Sequence, residues 1–120
     1  MPLDDVAGAV RDYVLSVARQ DARALERLFD ASATIIGLDE GKFGSVPRDR
    51  WIAFVTSEAR MGAGQEDFAI LNVTIHETVG TAVVRTRFGA FDYTDVLSLV
   101  RVAGSVRIVG KVYHQHPHPN

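Results

Sequence analysis

FDYTDVLSLVRV, residues 91–102, is followed by Ala103-Gly104-Ser105 and then by VRIVGKVY, residues 106–113. Two alternating, β-branched runs separated by small turn residues predict a long β-hairpin. In the first arm Phe91, Tyr93, Asp95, Leu97 and Leu99 share one face, because successive strand side chains point to opposite sides. Asp95 is thus set into an aromatic and aliphatic row. A carboxyl group there is either a partnered core acid or the polar point of a pocket.

Working upstream, Phe68 to Thr78 and Thr81 to Phe88 are runs of the same kind. The breaks at Val79-Gly80, Gly89-Ala90 and Ala103-Gly104 are short enough to join antiparallel neighbours, which predicts a four-strand meander. Before Asp67 the period changes. Val6, Ala9, Val10, Tyr13, Val14, Val17 and Ala18 follow helical spacing, so residues 3–19 are expected to form an amphipathic helix, with Asp4 and Asp5 at its positive end. Asp21 is placed to cap a second helix that buries Leu25, Leu28 and Phe29.

Ser32 to Leu38 and Phe43 to Val46, joined by Asp39-Glu40-Gly41-Lys42, read as a small hairpin. Pro47 opens a third helix whose face is marked by Trp51, Phe54, Val55 and Glu58 and which Met61-Gly62-Ala63-Gly64 ends. Helices first and strands after predict an α+β fold in which helices cover one face of an antiparallel sheet. Residues 1–120 are expected to form one domain, since a chain of this length buries about two thirds of its unfolded surface.

The chain has no cysteine, which removes disulfides, thiolate chemistry and sulfur-ligated metals. With 13 Lys plus Arg against 15 Asp plus Glu the formal charge is -2, so neither nucleic acid nor an acidic membrane surface is an expected partner. No apolar run has the length of a membrane span or the form of a secretory signal, and a cytoplasmic location follows as the default. His114-Gln115-His116-Pro117-His118-Pro119-Asn120 is a compositional oddity. Its prolines predict an extended end, frayed over residues 115–120, and no nearby carboxylate or thiolate completes a coordination set for its imidazoles. Neither a metal nor a cofactor is expected.

The order of elements, ending in YTDVLSLVRVAGSVRIVGKVYH, resembles the nuclear transport factor two-like superfamily and its small bacterial lumazine-binding or polyketide-cyclase-like branch. Tyr13, Asp21, Ala33-Thr34, Arg48, Tyr93, Asp95, Leu97, Gly104, Ile108, Lys111, Tyr113 and His114 carry the resemblance. It implies a cone-shaped curved antiparallel sheet wrapped around three N-terminal helices, a cavity between sheet and helices, and a homodimer formed through the sheet. It implies no single activity, since members include isomerases, cyclases, dehydratases and binding modules.

By that resemblance Asp95 matches a strand acid that hydrogen-bonds a substrate oxygen, and Tyr13 a helix tyrosine able to complete an oxyanion-binding pair with it. A carboxyl group among apolar neighbours resists ionisation, which suits either a donor or a base near neutrality. The structural alternative for Asp95 is pairing with Lys111, an arginine or a backbone amide; for Tyr13 it is simple burial of the ring. The resemblance departs at Gly37, where isomerase-like relatives carry the general base, and at Val106, where relatives often carry tryptophan. Asp39 is assigned to the turn, which leaves His76 as the remaining nearby base or an ordinary strand-end residue.

Trp51, Phe54 and Phe43 either line the pocket mouth or fill the core. Arg85, Arg87, Arg101, Arg107 and Lys111 form either an anion-receiving sheet face or a solvated one. The reading that results is a homodimeric domain binding a small apolar or aromatic ligand through Tyr13, Trp51, Phe54, Tyr93, Asp95 and Lys111. The alternative is an isomerase, cyclase or dehydratase-like enzyme with Asp95, Tyr13 and His76 as its catalytic residues.

Overall fold

In the computed structural model, which describes residues 1–117, the first half of the chain supplies helices and a hairpin and the second half four long strands. Helix α1 spans Leu3–Ala18 and α2 spans Ala22–Leu28. The Asp21 side chain caps α2, accepting the Ala24 amide at 3.1 Å, as its position before an apolar run requires. Phe29 leaves the helix: it opens β1 (Phe29–Asp39), which is followed by β2 (Lys42–Pro47) and α3 (Arg48–Val55). Arg48 ties these parts together by donating to the carbonyls of Glu26 at 3.2 Å and Phe29 at 3.1 Å.

Helix α3 is shorter than its sequence suggests, and Glu58 belongs to a separate 3₁₀ turn, Glu58–Arg60. Strands β3 (Ala69–His76), β4 (Val79–Phe88), β5 (Phe91–Val102) and β6 (Ser105–Gln115) complete the chain. Val79 and Gly80 lie inside β4 rather than in a turn. The reversal comes two residues earlier at Glu77, whose φ of 56° no glycine announces. At the β5–β6 reversal both linking residues, Ala103 (φ 49°) and Gly104 (φ 83°), are left-handed, which matches the twist of a two-residue hairpin.

The six strands form one curved, unclosed sheet in the order β2-β1-β6-β5-β4-β3. The expectation of an antiparallel sheet needs correcting in one place: β1 pairs with β6 in parallel, so the sheet is mixed. Its α+β, cone-like form is as expected. Val6, Val10, Leu25, Phe29, Leu97 and Ile108 are fully buried where the helices meet the concave sheet face. Of the tail expected to fray, Gln115 is part of β6 and accepts the Glu40 amide at 2.7 Å, while the His116 amide donates to the Asp92 carbonyl at 2.9 Å. Residues 118–120 lie outside the described residues. No helix among the described residues is long and apolar enough to cross a membrane.

Candidate functional site

Alternation along β5 does what its sequence implies. Asp95, Leu97 and Leu99 are buried while Val96 and Ser98 face outward. Asp95 is 1% exposed. Its Oδ2 accepts the Tyr13 hydroxyl at 2.7 Å and the Thr86 hydroxyl at 2.9 Å, and its Oδ1 is buried with no hydrogen-bond partner. Tyr13 comes from α1, and Thr86 from β4, where its register partner is Tyr93 of β5. Two hydroxyl donors on one oxygen and none on the other leave Oδ1 as the free polar atom of the group.

Lys111 approaches from β6. Its register partner is Leu97, and that of Asp95 is Tyr113, so Lys111 and Asp95 are diagonal neighbours on the concave face. Lys111 is 8% exposed, and its Nζ lies 4.7 Å from the centre of the Trp51 ring, 5.1 Å from Tyr13 and 5.6 Å from Tyr113. No ion pair within 4 Å joins it to Asp95 or to any other acid among the described residues, so the pairing considered for these two is not made. Burial lowers the pKa of Lys111, an effect that the charges of Asp95 and Asp39 oppose. Burial also raises the pKa of Tyr13 well above the ordinary value, with the Asp95 charge and hydrogen bond adding to it.

These groups line a cavity of about 610 Å³ between sheet and helices. All six expected ligand-binding residues, Tyr13, Trp51, Phe54, Tyr93, Asp95 and Lys111, contribute to its wall. Trp51 packs at 4.9 Å from the Phe29 ring and 6.2 Å from Tyr13, so one aromatic cluster serves as both core and cavity floor. Phe54 stands at the rim, 48% exposed, with the Arg60 guanidinium 4.5 Å over its ring. The Tyr93 hydroxyl accepts from Gln115 Nε2 at 3.0 Å.

His76 is not brought to the cavity. Val73 and Ile75 are the β3 residues that pack on the core, which leaves His76 exposed on the other side. The basic sheet face is also resolved: Arg85 and Arg87 pair with Asp92, Arg101 with Asp5 and Arg107 with Asp30, whereas Lys111 faces the interior. Phe43 is exposed on β2 and takes no part in the core.

Thr86, Asp39 and Tyr113 are among the cavity residues that sequence reasoning passed over. Asp39 ends β1 and accepts the Tyr113 hydroxyl at 2.5 Å. At Gly37, the empty base position, a Cβ would lie 2.6 Å from both the ring and the carbonyl oxygen of Tyr113. Among the described residues no group of three or more His, Cys, Asp or Glu side chains gathers to hold a metal.

Comparison with known proteins agrees with this architecture. Residues 2–114 match the model of a family described as "Putative lumazine-binding". An NTF2-like protein of unknown function from Silicibacter pomeroyi is 30% identical, superimposes with a TM-score of 0.88, and shares 95% of either chain. An NTF2-like protein of unknown function from Shewanella baltica is 24% identical, with a TM-score of 0.83 over 95% of this chain and 93% of that one. A ketosteroid isomerase-like protein from Erwinia carotovora atroseptica is 16% identical, with a TM-score of 0.73 over 96% of each chain. The last two likenesses concern the fold alone. No curated protein matches the chain.

Proposed function

The chain belongs to the lumazine-binding family of the nuclear transport factor two-like superfamily, and from that premise we propose that it binds a small planar heteroaromatic ligand in the cavity beneath Asp95. The observation that carries this reading is the pairing of two unused polar groups in one aromatic chamber. Asp95 Oδ1 is a buried acceptor without a donor, and Lys111 is a donor with no ion pair among the described residues. A ring edge presenting a carbonyl beside an N–H satisfies both, with its faces against Trp51 and Tyr93. Lumazine, a pteridine whose pyrimidine ring carries such an edge, fits the family description.

Titration with lumazine, followed by calorimetry and by the fluorescence of Trp51, the one tryptophan of the chain, is expected to give saturable binding. Asp95→Asn should weaken it about tenfold, the cost of one mismatched buried hydrogen bond. A wild-type protein that shows no saturation with lumazine would refute the reading.

A second reading, an isomerase, cyclase or dehydratase-like enzyme acting on a carbonyl-bearing ligand, is favoured by the 2.7 Å Tyr13–Asp95 hydrogen bond at the cavity wall. Tyr113, Tyr93 and Lys111 add further titratable groups to that wall, whereas His76 takes no part. An Asp95→Asn protein that keeps its ligand affinity and loses turnover would select this reading over plain binding. Homodimerisation through the outer sheet face belongs to the same proposal. Val96 and Val112 are register partners there, and both are exposed.

A further inference from the structure

We propose that Lys111 captures an aldehyde in this cavity as a covalent imine, so that the pocket is reactive toward carbonyl compounds as well as shaped for flat rings. Of the 13 basic side chains only two are lysines, Lys42 and Lys111; the others are arginines, which do not act as amine nucleophiles. The chain therefore places one of its two primary side-chain amines in the aromatic chamber, on the concave face of β6, and leaves the other exposed on β2.

Three features suit Lys111 to attack a carbonyl. It lines a 610 Å³ space large enough for an aryl aldehyde. Its Nζ is within 4.7–5.6 Å of three ring centres and has no ion pair within 4 Å to hold it among the described residues. Removal from water favours the neutral amine over the ammonium, the means by which lysines in apolar pockets become nucleophilic. Burial is the largest influence on this amine, ahead of the opposing charges of Asp95 and Asp39.

The proton balance closes within the chamber. Because Nζ and the carboxylate are more than 4 Å apart, the Lys111 ammonium gives one proton to the Asp95 carboxylate through a water molecule, and the Nζ lone pair then forms a bond to the carbonyl carbon. The C=O π pair moves to oxygen, which takes up a proton released from the new C–N⁺ centre. Asp95 returns its own proton to the carbinolamine hydroxyl, and the C–O bond breaks with loss of water as C=N⁺ forms. Ammonium plus aldehyde thus gives iminium plus water, with no oxidant or reductant. The Tyr13 and Thr86 hydroxyls on Oδ2 hold the carboxyl group and leave Oδ1, buried as it is, without a hydrogen-bond partner.

The inference rests on the cavity of the binding reading but not on its ligand, and one experiment separates the two. The protein is incubated near neutral pH with benzaldehyde and cyanoborohydride, which fixes any imine as a stable benzylamine, and the adducts are located by peptide mass mapping. Lys111 is expected to be labelled at least about tenfold faster than Lys42, which is exposed on β2 and has no such chamber around it. Asp95→Asn should slow labelling at Lys111 and leave Lys42 unchanged. Lys111→Arg should abolish the cavity adduct and leave labelling at Lys42 unchanged, since a guanidinium forms no imine. Because Lys42 is the internal reference, the wild-type result is decisive even where a variant fails to fold. Labelling at Lys111 no faster than at Lys42 would overturn the proposal, and in that event saturable lumazine binding would leave the binding reading standing.

Discussion

Asp95 Oδ2 accepts a hydroxyl proton from a helix and another from a strand, so the carboxyl group fastens α1 to β4 as well as facing the cavity. Burial makes Tyr13 hard to ionise, with the Asp95 charge and hydrogen bond adding to it, and it is not alone. Burial raises the pKa of all three tyrosines of the chain, with the Asp39 hydrogen bond adding to the effect at Tyr113. A tyrosine whose folded value exceeds the unfolded one contributes stability that is intact below about pH 10 and is lost as pH climbs through the folded value. Lys111 acts with the opposite sign: its lowered folded value penalises the fold until it deprotonates, and that penalty is relieved up to about pH 10.4. An alkaline titration should show phenolate absorbance appearing together with loss of ellipticity, in one cooperative step. Phenolate signal arising near pH 10 in a protein that keeps its circular dichroism would contradict this assignment.

Among the elements, β1 carries the most specific constraint. Gly37 sits opposite Tyr113 of β6, and a methyl group at that point meets both the ring and the carbonyl oxygen at 2.6 Å. Gly37→Ala is therefore expected to cost about 1–3 kcal/mol, the usual penalty of overpacking, measurable as a lowered urea midpoint. Tyr113→Ala should recover only part of that loss, since the backbone oxygen remains. An unchanged midpoint in Gly37→Ala would show that β1 and β6 separate freely. The same contact explains why an acid is missing from this position: the space is occupied by the partner strand.

Local pattern made most elements legible. The helix from Leu3, the Asp21 cap and the bounds of β5 follow from periodicity and capping chemistry that act within a few residues. Tyr13, Trp51, Tyr93, Asp95 and Lys111 were legible as cavity residues through apolar-face alternation and family resemblance. Thr86 was not, because its importance comes from a carboxyl group nine positions away across a hairpin, and a threonine in a strand carries no mark of that. His76 stayed open between a base and a strand-end residue because alternation alone could not say which side of β3 faces the core, and the register shift between Ile70 and Asn72 disturbs it further. The parallel β1–β6 pairing had no local signal at all.

For the molecule as a whole, the outward face of the sheet is the surface still to be accounted for. Val112 is 54% exposed opposite Val96, with Val102 also exposed on β5. An apolar strip flanked by polar strand residues is suited to a second copy of itself through a two-fold contact. Light scattering at micromolar concentration should report a dimer, and Val112→Lys should convert it to a monomer with its fold intact. A wild-type monomer under those conditions would end the dimer proposal.

The pairing of β1 with β6 also sets a timetable for biosynthesis. Phe29 has Ile108 as its register partner, 79 positions further along the chain. At about 5–20 residues per second, a ribosome needs roughly 4–16 s to cover that distance. Throughout that interval one edge of β1, with Ala33 and Ile35 on its apolar side, has no strand to pair with. The nascent chain thus spends several seconds with helices and a small hairpin made and its enclosing wall missing. Chaperone engagement should accordingly concentrate in that window and fall once β6 has emerged.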